Sequence, residues 1–216
     1  MAELILVRHG QANSHATDEA SYDKLSDLGH TQARWLGEHM RATNPHFDHV
    51  ITGTLRRQKE TAAGMGYSET RVDGRLDELH YFAMAAALEA EHGIVTPSDP
   101  TEFAAHLPKM ISYWAADKVK TVPERFADFH GRTTALVEEV CKGHGRVLLV
   151  TSGGVIGTIL RHVLHLSDEG MAKIMLQVMN SSVHRLEYVH GQLFLGSFNA
   201  TPHLDIPGRE HARTYV

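Results

Sequence analysis

Cysteine is nearly missing from this sequence. Cys141 is the single one, so no intrachain disulfide can form, and a structural zinc site built mainly on thiolates is excluded. Long hydrophobic runs are missing too, since no segment approaches the ~20 apolar residues that span a bilayer. Met1-Ala2-Glu3 is followed by only four apolar residues. That is neither the basic region nor the long apolar core of a secretion signal, so the cytoplasm is the expected location. An excess of positive charge is also lacking. The formal net charge is −5, with 21 Lys and Arg against 26 Asp and Glu, whereas an obligate nucleic-acid binder needs clustered cations to meet the phosphate backbone. Neither a nucleic acid nor a membrane is therefore expected as a partner. Internal repeats, linkers and low-complexity segments are absent.

What remains is an ordinary globular composition, 42% hydrophobic and 22% charged. The chain of 216 residues exceeds the usual domain of about 100–150 and falls short of two. Residues 1–216 are read as a single domain with an inserted lobe. Histidine is abundant, at 17 residues, but abundance assigns no role.

Leu4-Ile5-Leu6-Val7 and Val147-Leu148-Leu149-Val150 are continuous apolar runs suited to buried parallel strands. Phe47 to Thr52 is a weaker third. Helical patterns alternate with them. Leu28, Ala33, Leu36, Gly37 and Met40 fall on one face after Ser26, a candidate N-cap. Leu55 to Met65 forms a short helix. Phe126, Phe129, Leu136, Val137 and Val140 precede the 147–150 strand, and Val155, Ile156, Ile159, Leu160, Val163 and Leu164 follow it. This alternation predicts an α/β fold, a three-layer α/β/α sandwich with a mostly parallel central sheet. Near the C-terminus, strands over 182–189 and 192–198 are joined by a hairpin turn at His190-Gly191. Residues 80–122 contain Pro97, Pro100 and Pro108 and a helical stretch with Phe103, Leu107, Met110, Ile111 and Trp114. They are read as the inserted helical lobe, lying over the sheet edge and the site.

In open α/β sheets, ligands bind beyond the carboxyl ends of the strands. Three such ends carry chemistry here. Arg8-His9-Gly10 offers an anion-binding guanidinium, an imidazole able to act as base, ligand or nucleophile, and a residue that lets the backbone turn close to a ligand. Thr52-Gly53-Thr54-Leu55-Arg56-Arg57 opens a helix whose N-terminus favours anions, with Arg57 as a second guanidinium; the plain alternative is a solvated basic face. Thr151-Ser152-Gly153-Gly154 is a second Gly-rich helix start. Together they point to a phosphate pocket. His162 and His165 lack a nearby carboxylate and are read as surface or packing residues, and His203 and His211 have no metal-ligand spacing.

These motifs resemble the histidine phosphatase superfamily, the phosphoglycerate mutase-like family, from Leu4 to about Asn199. Arg8, His9 and Gly10 match its strand ending in Arg-His-Gly. Thr52, Leu55, Arg57, Thr61 and Ala62 match its Ser-x-x-Leu-x-Arg-Ala-x-x-Thr-Ala pattern, with Gln58 in place of the usual alanine. Leu76-Asp77-Glu78 matches its Leu-x-Glu segment, and Tyr22 to Ala33 resembles a helix start of structural role. The resemblance implies that His9 is the nucleophile, Glu78 the proton donor, and Arg8 and Arg57 the phosphate clamp, assisted by Gly10, Ser152 and Gly153. It implies a small phosphorylated substrate, no metal and no cofactor. The family normally reads Ser-His-Gly-Gly where this chain has Thr151-Ser152-Gly153-Gly154. A serine reaches less far than histidine and carries no charge, so a looser pocket and weak or specialised phosphomonoester hydrolysis are expected. A non-catalytic phosphate-binding module is the alternative. A phosphoglycerate mutase ranks lower, because Leu79 to Met84 lacks the family's Gly-Gly-Leu-rich segment. Tyr81, Phe82 and Met84 are candidate pocket-lining residues. The substrate is not legible, nor is the oligomeric state; a homodimer is left open.

Overall fold

The two continuous apolar runs form the centre of the sheet. The computed structural model describes residues 2–13 and 16–215. β1 (Ala2–Arg8) and β4 (Gly145–Thr151) pair in parallel, with Leu4 opposite Val147 and Arg8 opposite Thr151. β2 (His49–Thr52) flanks β4 in parallel, and β3 (Arg71–Val72) flanks β2. On the other side β5 (Val183–Val189) runs antiparallel to β1, and β6 (Gln192–Ala200) antiparallel to β5. The six-stranded order is β3-β2-β4-β1-β5-β6. The turn between β5 and β6 is His190-Gly191, both at positive φ (49° and 82°), as a two-residue hairpin turn with a primed geometry demands.

Side chains alternate across a strand, so each central run serves two cores. Leu4, Leu6, Val147 and Leu149 point to one core, and Ile5, Val7, Leu148 and Val150 to the other. The second core is closed by α2 (Asp27–Thr43), through Ala33, Leu36 and Met40, and by α3 (Arg56–Gly64), through Ala62. Ser26 caps α2 as expected, its hydroxyl accepting from Gly29 N–H. Leu28 is only half-buried, however; Gly29 and Gln32 take the inner positions. The first core is closed by α4 (Tyr81–His92), α5 (Pro100–Ala115), α6 (Phe126–Cys141), α7 (Gly153–Leu164) and α8 (Asp168–Gln177). A single turn of helix, α1 (Glu19–Tyr22), completes eight α-helices among the described residues. The result is a mixed, mostly parallel sheet between two helical layers.

The 80–122 stretch supplies α4 and α5. Met84, Leu88, Leu107, Met110, Ile111 and Trp114 are all buried in the same core as Leu4 and Leu149. Met84 is thus a core residue and not a pocket-lining one: the helical period that places it inward sends Phe82 the other way. No described helix is long and apolar enough to cross a membrane.

Candidate active site

The three chemically suggestive strand ends converge. β2, β4 and β1 are neighbours in the sheet, so Thr52, Thr151 and Arg8 finish side by side. His9 N–H donates to Thr151 O (2.9 Å), and Ser181 N–H donates to His9 O (3.2 Å), which fixes the residue immediately beyond β1. Gly10 N–H donates to Thr61 Oγ1 (3.0 Å). A Cβ at Gly10 would strike the Gly29 carbonyl, so the backbone crosses α2 where only glycine fits.

His9 is buried, and its partners decide its tautomer. Nδ1 lies 2.7 Å from Gly10 O, a group that only accepts, so Nδ1 carries the proton. Nε2 lies 3.2 Å from Arg57 Nε, a group that only donates, so Nε2 carries the lone pair. Burial first, then the charges of Arg57 and Arg8, hold the imidazole well below its ordinary pKa of 6.5. The ring is therefore neutral at pH 7, with its basic nitrogen facing a guanidinium.

Both arginines are held by one terminal nitrogen. Arg57 Nη1 pairs with Asp23 Oδ1 at 3.0 Å, leaving Nε directed at His9. Arg8 Nη1 donates to Val178 O and to Tyr215 O (2.6 Å for the latter), and its Nε–H is buried with no partner among the described residues. A Cβ at Gly153 would sit 3.7 Å from that Nε, so the unspent donor lies beside the start of α7. Of the two consecutive arginines, Arg57 is buried. Arg56 is exposed and pairs with Glu60 at 2.6 Å, so the solvated-face reading holds for Arg56 alone.

Glu78 reaches the same helix start. Its Oε2 accepts from Gly154 N–H and its Oε1 from Leu79 N–H, both at 2.9 Å. The preceding Asp77 binds the β2–α3 turn, accepting from Thr54 N–H and Thr54 Oγ1–H at 2.6 Å each. The short 3-10 turn at Gly74–Leu76 and the residues after it thus fasten one strand end to the next.

Residues 4–201 match the family described as the histidine phosphatase superfamily, branch 1. The chain belongs to that superfamily. A broad-specificity phosphatase of Saccharomyces cerevisiae is 25% identical over 194 residues, covering 86% of this chain and 79% of the yeast protein. Among solved structures, a phosphoserine phosphatase variant of Entamoeba histolytica in complex with phosphoserine superposes with a TM-score of 0.70 at 20% identity, over 94% of this chain and 100% of that one. A phosphoglycerate mutase from Bacillus anthracis gives 0.66 at 23% identity, over 94% of each. These structures share the fold, and superfamily membership carries phosphatase- or mutase-type chemistry as a class.

Seen as a histidine phosphatase, the molecule brings Arg8, His9, Gly10, Arg57, Glu78, Ser152 and Gly153 to one end of the sheet. The expectation of a looser pocket beside Ser152 fails. The Gln58 side chain fills that side: it is completely buried and its Nε2 donates to Ser152 Oγ at 2.9 Å. Two further residues escaped the sequence reading. Tyr22 sets its ring edge-on to His9 (6.3 Å between centroids) and stacks beneath the Arg57 guanidinium, 5.0 Å away. Asp23 binds Arg57 and also accepts from the N–H groups of Arg56 (2.9 Å) and Arg57 (3.1 Å) at the start of α3. They lie in the Tyr22–Ala33 stretch that sequence reasoning made structural. Phe82 contacts Tyr22, and Glu19 Oε1 accepts from Phe82 and Ala83 N–H at the start of α4 (2.8 and 3.2 Å), so the α1 segment lies between His9 and α4. The described residues contain no group of three or more His, Cys, Asp or Glu that could hold a metal ion.

Proposed function

We propose that the protein hydrolyses phosphomonoesters through a phosphohistidine on His9, using no metal ion. One observation carries the reading: the buried imidazole has its proton committed to Gly10 O and its lone pair on Nε2, facing a guanidinium edge. The Nε2 lone pair attacks phosphorus in line as the ester P–O bond breaks. Arg57, Arg8 and the α7 N-terminus take up the negative charge on the equatorial oxygens. Glu78 gives a proton to the departing oxygen. Its carboxylate then takes a proton from water as that water attacks phosphorus, the N–P bond breaks, and neutral His9 returns with inorganic phosphate. Throughout, Nδ1–H stays on Gly10 O, which supports the positive charge of the phosphorylated ring.

A panel of phosphomonoesters with the purified protein, run beside His9→Ala, tests this. Labelled substrate quenched without acid should leave an acid-labile, base-stable phosphoryl group on His9, and a chelator should leave turnover intact. Label on Ser152, or turnover surviving His9→Ala, would reject the mechanism. The second reading, a phosphate-binding module without turnover, draws on Ser152 and on the two backbone N–H groups that engage Glu78. It predicts phosphate binding without any trapped intermediate.

A further inference from the structure

Gln58 has no role in the mechanism above, yet its side chain is polar and buried, with Oε1 lacking any hydrogen-bond partner among the described residues. It is fully buried on α3, next to Arg57, and its Nε2 makes two hydrogen bonds, to Leu76 O and to Ser152 Oγ, each at 2.9 Å. Leu76 O only accepts, so the amide cannot be flipped: nitrogen faces Leu76 and Ser152. Thr151 Oγ1–H donates to the same carbonyl at 2.7 Å, so both lone pairs of Leu76 O are used. On its other side the amide lies against Gly53, where a Cβ would collide with Oε1.

This orientation dictates what Ser152 can do. Both Nε2 protons are donated, so Ser152 Oγ is the acceptor of its bond with Gln58, and the serine's own proton is left to be donated elsewhere. Ser152 is also the N-cap residue of α7, a position where a serine side chain normally turns back to accept from the helix. Here it makes no such bond, and Gly154 N–H is taken by Glu78 instead. Ser152 follows Thr151, whose carbonyl holds His9 N–H, and a Cβ on the next residue, Gly153, would sit 3.7 Å from the unspent Arg8 Nε.

We infer that Gln58 is a positioning residue that holds Ser152 with its hydroxyl proton directed at the phosphoryl group. The inference rests on the phosphatase reading for its ligand, but not on turnover. Polarised by the amide N–H, the hydroxyl becomes a stronger donor to the oxygens that gain charge in the transition state.

The test is a double-mutant cycle. Gln58→Met, close in length and unable to donate, is combined with Ser152→Ala, and kcat and KM on one aryl phosphate are measured with the melting temperature of each variant. Gln58→Ala is a second variant should Gln58→Met not fold. Loss of the donor should lower kcat by about 10-fold with KM little changed, in Gln58→Met and in Ser152→Ala alike. In the Ser152→Ala background, Gln58→Met should change kcat less than 2-fold. Equal kcat losses from Gln58→Met in both backgrounds would overturn the inference, since a packing role would act whether or not the hydroxyl is there. The same cycle read by calorimetric binding of vanadate separates the two claims. Coupled losses of vanadate affinity in a protein that turns over no ester would reject the phosphatase reading and keep the role of Gln58. Additive losses would reject Gln58 alone, and no vanadate binding to the wild type would reject both.

Discussion

The chemistry of His9 is set by groups that a mutation need not touch to disturb. Its neutral state comes from burial and two guanidinium charges, and its tautomer from Gly10 O. Long-range ¹H–¹⁵N NMR should therefore find Nε2 of His9 still unprotonated at a pH where an ordinary imidazole, with a pKa of about 6.5, is mostly protonated. A midpoint for His9 close to that ordinary value would mean that the ring is more open to water than its burial implies. Ser152 obeys the same logic of neighbours. An imidazole grown from its Cβ must enter the space that the Gln58 amide occupies at 2.9 Å from Oγ, and overpacking of a buried site typically costs about 1–3 kcal/mol. Ser152→His alone should thus lower both stability and kcat. Adding Gln58→Ala vacates the space, and the double variant should regain at least the wild-type kcat on an aryl phosphate. A gain from the single variant would show that the ring finds another direction.

At the scale of elements, short connectors do the joining. Asp23 is the C-cap residue of α1, three residues before the Ser26 cap of α2, yet it closes the N-terminus of α3 and holds Arg57. Leu55, the formal cap of α3, has no side chain able to do so. Asp23→Ala removes three charge-assisted hydrogen bonds at one helix start, and urea denaturation should register a loss of about 1–2 kcal/mol, the scale of a strong N-cap. A change under about 0.5 kcal/mol would show that water replaces the carboxylate there. This is also where sequence reasoning stops. β1, β4 and the helices behind them are legible because an apolar run or a periodic face is a local signal, and Arg8, His9, Gly10, Arg57 and Glu78 stand out as candidates through motifs a few residues long. The Gln58–Ser152 bond joins positions 94 apart, and Asp23 meets Arg57 across a chain separation of 34. Neither pair has any spacing to read. Both depend on how connectors between well-marked elements fold back, which sterics and backbone hydrogen bonds settle only in three dimensions.

The whole molecule carries its buried histidines as an acid sensitivity. Burial, with the Arg8 charge second, pushes His184 down to about 3. Burial, with His39 and Arg209 after it, does the same to His203, whose Nδ1 is buried without a partner among the described residues. They are held by Ser182 Oγ (3.0 Å) and Ser181 Oγ (2.8 Å), in the segment that supports His9 O. An unfolded chain takes up these protons near pH 6.5 and the folded one only near 3, so this contribution is full above about 6.5 and is lost progressively as pH falls toward 3. The depressed carboxylates Asp73 and Glu91, both near 2, bear on stability only lower, around and below the ordinary carboxylate range of about 4. The urea midpoint should therefore decline already between pH 7 and 5, and His203→Gln should flatten that decline. An unchanged midpoint across this window in the wild type would contradict the assignment.

The sheet order has a bearing on how the protein is made. β1 lies inside the sheet, its Ala2 in register with Gly145 on one side and Tyr188 on the other. It leaves the ribosome long before either partner, and at about 5–20 residues per second the gap to β4 is on the order of ten seconds. For that interval a strand carrying the apolar run Leu4–Val7 has both edges open, which is the condition under which nascent chains aggregate or recruit chaperones. The His9 pocket cannot exist on a growing chain until Thr151 and Ser181 have emerged, because their backbone groups hold His9 in place.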